Sequence, residues 1–258
     1  MFDSQTIFHI LMIAVLGGII GLDRTAVGQF MVSQPIVAGP LTGWILGDVT
    51  AGFVIGAALE LIWVLDMPVG AFVPADSTIA TISAVALSAL GSQGQAPLSL
   101  IGFSILLTAG MAPLTMFADG LVRKRNARLF ELATAGPGED AVAKLSKAHL
   151  SGLVAFFLKS FLLYLLILPT GLVLLTVFGY LPDRVHGAMT LFVKFLPALG
   201  AALIARKLSI KVFDRFLLIG FLTAATAGLM FHAPAYVFVM LSIVAGWIGV
   251  KYSEKRSA

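Results

Sequence analysis

The chain has 258 residues, is 59% hydrophobic and only 12% charged, and has a mean hydropathy of +1.00. A soluble domain carries about 25% charged residues, so an ordinary soluble fold and a disordered chain are both excluded. Cysteine is absent and the net charge of +4 is spread along the chain; this excludes disulfides, thiolate metal sites and a nucleic-acid-binding stripe, and fits a protein in a lipid bilayer that keeps its Lys and Arg on the cytoplasmic side.

In chain order, Met1-Phe2-Asp3-Ser4 lacks a basic leader region, so the uncharged run 5–22 reads as a retained first helix. Gly17, Gly18 and Gly21 suit close helix packing there. Residues 35–65 are apolar except at Gly47-Asp48-Val49-Thr50 and Glu60. The first arm, 35–47, is too short for a comfortable span, so two short arms meeting at a Gly-Asp turn read as a re-entrant-type hairpin. Pro68, Gly70 and Pro74 then break any helix across 66–76. Helices are expected at 77–90 and 97–118, with a polar turn at 91–95 between them.

Residues 119–149 differ in kind, holding Arg123, Lys124, Arg125, Arg128, Lys144 and Lys147. Gly136-Pro137-Gly138 divides them into two short amphipathic pieces. They read as a cytosolic connector at the membrane surface; the sharper reading is a docking site for a soluble partner at Arg123, Lys124 and Arg125. Further helices are expected at 150–178, 187–205, 213–231 and 233–250, followed by a basic tail. The expected organisation is an N-terminal membrane half at 1–118, the connector at 119–149 and a C-terminal membrane half at 150–258. The fold class is all-α, an integral membrane helical bundle.

Charge parity supports the hairpin. With Arg123 to Arg128 inside, successive crossings place Arg206, Lys207, Lys211, Arg215 and the tail inside as well. Arg24 joins them if 35–65 makes no net crossing, which places the N-terminus outside. A second hairpin at 187–231 would descend from the opposite side, and the pair would form an inverted repeat, a common transporter plan.

No basic residue lies between Arg24 and Arg123, yet Asp48, Glu60, Asp66, Asp76 and Asp119 fall there. A carboxylate in an apolar run is costly unless it faces a polar cavity or is protonated. These acids cannot pair with one another, so their partners are expected to be backbone N–H groups, water, substrate hydroxyls or a cation from a partner subunit. Glu60, Trp63, the Pro68 to Ala71 stretch, Phe72, Pro74 and Asp76 form one compact polar feature whose chemistry suits a sugar. Carboxylates accept from hydroxyls, and broken helices expose backbone groups. Trp63 or Phe72 could cover a pyranose face. The competing readings are an interface anchor for Trp63, packing for Phe72 and helix capping for Glu60 and Asp76.

Gly39-Pro40-Leu41-Thr42-Gly43-Trp44-Ile45-Leu46-Gly47-Asp48, with Gly56-Ala57-Ala58-Leu59-Glu60-Leu61 and the Pro68 to Asp76 segment, resembles the IIC membrane subunit of the mannose/fructose/sorbose family. This is a family of the bacterial phosphoenolpyruvate-dependent sugar phosphotransferase system. The resemblance covers essentially the whole chain. It implies a multi-pass inner-membrane permease subunit that is not itself an enzyme and needs no cofactor. It further implies a hetero-oligomer with a IID membrane subunit, and soluble IIA and IIB proteins of which IIB phosphorylates the sugar. It assigns the substrate pathway to Glu60, Pro68, Gly70, Pro74 and Asp76. The residues alone leave two alternatives open: a stand-alone proton-coupled transporter working through Glu60 or Asp76, and a non-transporting membrane anchor or sensor for phosphorelay proteins. His9, His149, His186 and His232 show no metal-ligand spacing, and no Walker-type phosphate loop is present.

Overall fold

The computed structural model describes residues 3–66, 73–92, 94–135 and 141–208, together with 244 and 247. Pro68, Gly70 and Phe72, Gly136-Pro137-Gly138 and the helix expected at 213–231 lie outside these residues. So do the basic tail and most of the helix expected at 233–250. Every regular element described is an α-helix: α1 (Ser4–Asp23), α2 (Pro35–Leu46), α3 (Val49–Trp63), α4 (Ser77–Leu90), α5 (Leu98–Gly110), α6 (Ala112–Thr134), α7 (Ala141–Phe178) and α8 (Asp183–Leu208). The chain divides into a unit spanning Met1–Gly200 and a second spanning Ala201–Ala258; the contacts discussed below lie within the first.

Among the described residues, three helices are long and apolar enough to cross a membrane: Ser4–Asp23, Ala141–Phe178 and the Asp183–Ile204 part of α8. The pair α5 and α6, bent by about 40°, makes a fourth if it is counted as one span. Helices α2, α3 and α4 are apolar but shorter.

Asp3 opens α1 by accepting a hydrogen bond from Thr6 N at 2.9 Å. The glycine face of α1 packs on α7, with Gly17 under the Tyr164 ring and Gly21 against Ser160. Pro35 at the first position starts α2, where its missing N–H is harmless. Gly47, at φ +83°, ends α2 in the left-handed region, and Asp48 then caps α3 by accepting from Ala51 N at 2.9 Å. The two arms run antiparallel in backbone contact: a Cβ on Gly39 would stand 2.6 Å from the Gly52 carbonyl oxygen, and the converse holds at Gly52. Their outer ends meet, because Ile36 N donates to Glu60 Oε2 at 3.1 Å.

Asp76 starts α4, and this helix is enclosed on every side: each residue from Thr78 to Ser88 is buried. Ile79, Ile82, Ala86 and Leu87 pack into one core cluster with α1, α5 and α7. Ala84 and Val85 pack into a second cluster with α3, α5 and α8.

The sequence suggested one helix over 97–118, but the chain breaks at Met111. Pro113 lacks the N–H that would bond the Ala109 carbonyl and its ring crowds that carbonyl, so the first helix stops and a fresh one begins with the proline in its first turn. That helix runs through Ala118 to Thr134 without a boundary at Asp119. The amphipathic pieces of 119–149 are therefore extensions of α6 and α7.

Candidate functional site

Asp23, the last residue of α1, organises the loop that follows. Its Oδ1 accepts from Phe30 N at 2.6 Å and its Oδ2 from Ser33 N at 3.0 Å. Within that loop Gly28, Gln29 and Met31 have φ values of 76°, 55° and 66°. A left-handed backbone is costly for the two side-chain-bearing residues and persists only where the surroundings hold it. Thr78 Oγ1 fastens the loop to α4 by donating to Ser33 O at 2.8 Å.

A cavity of about 310 Å³ opens where these parts meet. The end of α1 and its loop contribute Asp23, Arg24, Gln29, Met31, Ser33 and Gln34. The end of α3 contributes Trp63, Val64 and Asp66, and the start of α4 contributes Ser77 and Thr78. The volume sits at the low end of the roughly 300–1,000 Å³ usual for small-molecule sites. One indole, two amides, several hydroxyls, a guanidinium and two carboxylates make a lining suited to a small polyhydroxylated ligand.

Behind the cavity lies an ion network. Arg24 Nη1 donates to Asp76 Oδ1 at 3.1 Å and to Ser77 Oγ at 3.3 Å, while its Nη2 donates to Ala75 O at 2.8 Å. Lys159 Nζ of α7 donates to Asp76 Oδ2 at 2.9 Å and to Asp119 Oδ1 of α6 at 3.2 Å. Asp119 Oδ2 accepts from Arg123 Nε at 2.7 Å. The Lys159 side chain is 6% exposed and that of Asp76 7%, so these charges stand in a low-dielectric interior. Asp76 also caps α4 by accepting from Ile79 N, and its own N–H donates to Thr115 Oγ1.

The sequence matches the family described as the PTS system sorbose-specific IIC component over residues 7–244. The chain belongs to this family. It is 26% identical to the sorbose-specific EIIC component of Klebsiella pneumoniae, over 92% of this chain and 87% of that one. It is 23% identical to the mannose-specific EIIC component of Escherichia coli K12, over 98% and 93% of the two chains. It is 25% identical to the fructose permease IIC component of Bacillus subtilis, over 86% and 80%. A solved structure described as "Structure of membrane protein" shares the fold, with a TM-score of 0.65 and 21% identity over 98% of this chain and 97% of that one. The protein is thus a IIC component of a sugar phosphotransferase system, a multi-pass transport subunit of the bacterial inner membrane.

Of the residues singled out in the sequence, Trp63 lines the cavity. Glu60 stands one turn behind Trp63, holding the first turn of α2. Pro74 and Asp76 are buried immediately before α4, and Asp76 faces the ion network. The IIC component corrects one expectation here: Asp76 takes its cations from its own chain. The count of basic residues stopped at Arg24 and Arg123, while the fold brings in Lys159 from 83 positions away. Arg123 is tied to Asp119, Arg125 donates to Ser151 O and Oγ, and Lys124 is exposed.

Sequence reasoning passed over Asp23, Gln29, Gln34 and Lys159. Lys159 carried the clearest signal, as the sole charge in the apolar run 150–178. The two amides carried none, since loop glutamines are ordinary.

Proposed function

We propose that this IIC component forms, with a IID membrane subunit, the pathway for a hexose-like sugar held in the cavity at the ends of α1, α3 and α4. A soluble IIB protein, itself charged by IIA, phosphorylates the sugar at that end of the bundle. The observation that carries the reading is the cavity itself: Trp63 beside Gln29, Gln34, Ser77 and Arg24. An indole covers the apolar face of a pyranose, while amide, hydroxyl and guanidinium groups satisfy its hydroxyls. Relatives named for sorbose, mannose and fructose support a hexose as substrate.

Packing supports a docking surface at the same end. A second cavity is lined by Thr25 and Ala26 just after α1, by Asn126 and Phe130 of α6, and by His149 of α7. The extensions of α6 and α7 therefore stand beside the end of α1 where the sugar cavity opens. Lys124, Arg128, Lys144 and Lys147 are exposed on those extensions, a basic surface suited to an acidic patch on IIB. We place this end in the cytosol and read 35–65 as a hairpin entering from it. The two cations on Asp76 weigh against a proton-carrying role for that carboxylate, and so against a stand-alone proton-coupled transporter.

Sugar binding to the purified IIC–IID complex tests the site. Gln29→Ala, Gln34→Ala and Trp63→Ala should each weaken binding by about 10-fold, as loss of one hydrogen-bonding or stacking group implies. Parental affinity in all three would place the sugar elsewhere.

A further inference from the structure

We infer that Lys159 and Asp119 are positioning residues which, through Asp76, set the Arg24 guanidinium at the cavity and couple it to the exposed length of α6. The inference rests on the cavity reading above.

Two buried aspartates in this chain do the same local job. Asp48 caps α3 by accepting from Ala51 N, and its other oxygen accepts from Ala96 N at 2.8 Å. No cation within ion-pair distance of Asp48 is found among the described residues. Capping a helix inside this bundle therefore needs no cation. Asp76 caps α4 in the same way but also carries Arg24 and Lys159. The additional charges serve something other than the cap.

The chain of contacts runs Arg24, Asp76, Lys159, Asp119, Arg123. It touches the end of α1, the start of α4, the middle of α7 and the first half of α6. Each oxygen of the two carboxylates is engaged, Asp76 Oδ1 by Arg24 and Ile79, Asp76 Oδ2 and Asp119 Oδ1 by Lys159, and Asp119 Oδ2 by Arg123. No spare carboxylate oxygen remains to absorb a shift at one end. Thr115 of α6 adds a second link, accepting from Asp76 N at 3.1 Å.

Helix α6 begins at the bend after Met111 and continues to exposed residues such as Leu121, Phe130 and Leu132. A soluble partner pressing on that exposed length moves a lever whose near end carries Thr115 and Asp119. Lys159 pairs with both Asp119 and Asp76, so displacement of Asp119 alters its hold on Asp76 and, through that carboxylate, the seat of Arg24. Occupancy of the docking surface is thereby communicated to the sugar cavity.

The chain contains no cysteine, so a Val64→Cys substitution supplies a single reporter on the cavity wall. Its rate of reaction with a maleimide, measured in the full-length IIC–IID complex in membranes, reads cavity geometry with or without sugar. Asp119→Asn should change that rate by about fivefold, the low end of typical couplings, although Asp119 does not line the cavity. Lys159→Arg, which keeps the charge, should leave the rate near the parental value. Should Asp119→Asn fail to insert, the pair Lys159→Met with Asp119→Asn, which removes one charge of each sign, is read in its place. A parental rate in the Asp119→Asn chain, or in that pair, overturns the inference. Protection of the reporter by sugar in the otherwise parental chain tests the cavity separately, so a failed cavity and a failed coupling give different results.

Discussion

Asp76 accepts from Ile79 N and, with the same carboxylate, from Arg24 and Lys159. Asparagine caps helices about as well as aspartate, so Asp76→Asn isolates the ion pairs from the cap. It leaves Arg24 and Lys159 short of a counter-charge in the interior. Breaking a buried pair in this way costs about 3–5 kcal/mol. Asp48→Asn removes no ion pair and should cost clearly less. Thermal unfolding of the two variants in detergent checks the order, and equal losses would mean that the cations contribute little. Glu60 calls for a different expectation. Its carboxylate accepts from Ile36 N and lies near the N-terminus of α2. Glu60→Gln keeps an acceptor and should cost about 0.3–1 kcal/mol from the lost charge at the helix end, whereas Glu60→Ala loses the cap as well. The start of a helix at Asp76 was legible in the sequence, because an aspartate preceded an apolar run after two prolines. Its cations were not, since they lie 52 and 83 positions away and only packing brings them in.

Helices α2 and α3 touch backbone to backbone, and that contact depends on glycine at the crossing. Gly52→Val would drive a branched side chain against the Gly39 carbonyl oxygen, which has no freedom to move aside. Overpacking of this kind costs about 1–3 kcal/mol. Gly120→Ala in α6 is the contrasting case, since a Cβ there meets nothing within 4 Å. Replacing a glycine inside a helix by alanine should stabilise by roughly 0.5–1 kcal/mol. Chemical unfolding of the two variants should move in opposite directions; a tolerated Gly52→Val would show that the arms can separate. The hairpin was legible because Gly47 and Asp48 interrupt an apolar stretch too short to span twice. The bend at Met111 was not, because Gly110 and Pro113 sit inside a run whose hydropathy is unbroken across 98–118 and because a proline in the first turn of a helix resembles one that interrupts it.

At the scale of the molecule, the outer ends of the hairpin meet beside the end of α1, which makes its topology testable. Single cysteines introduced by Arg24→Cys and Asp66→Cys should be labelled by an impermeant reagent from one and the same face of the membrane. Labelling from opposite faces would exclude the hairpin reading. The docking surface is best tested away from Arg123 and Arg125, because both hold contacts within the chain. Reversing them would disturb the bundle whether or not IIB binds there. Lys124→Glu, Lys144→Glu and Lys147→Glu together alter exposed charge only. They should weaken IIB recruitment while leaving insertion and the IID contact intact; unchanged recruitment would leave the extensions as a linker. The helical membrane character of the described residues was legible from composition and apolar run lengths, as few charges and long apolar runs permit little else. The position of the cavity proposed for the sugar was only partly marked in the sequence. Trp63 belonged to a conspicuous polar feature, but Gln29 and Gln34 reach the same space from a loop shaped by Asp23.

The distances along the chain within the ion network also fix an order in time. Arg24 is translated 52 residues before Asp76, and Lys159 is translated 83 residues after it. At about 5–20 residues per second, the carboxylate waits roughly 4–17 s for its second cation. During that interval it sits in nascent membrane protein with Arg24 already at hand. Loss of Arg24 should therefore harm biogenesis more than its effect on the finished protein would suggest, because no other cation that pairs with Asp76 has yet been made. In pulse-chase labelling, Arg24→Gln chains should be degraded early, within the first minutes of synthesis. Lys159→Met chains should survive that window and fail later, once the bundle closes on a carboxylate pair that lacks its bridging charge.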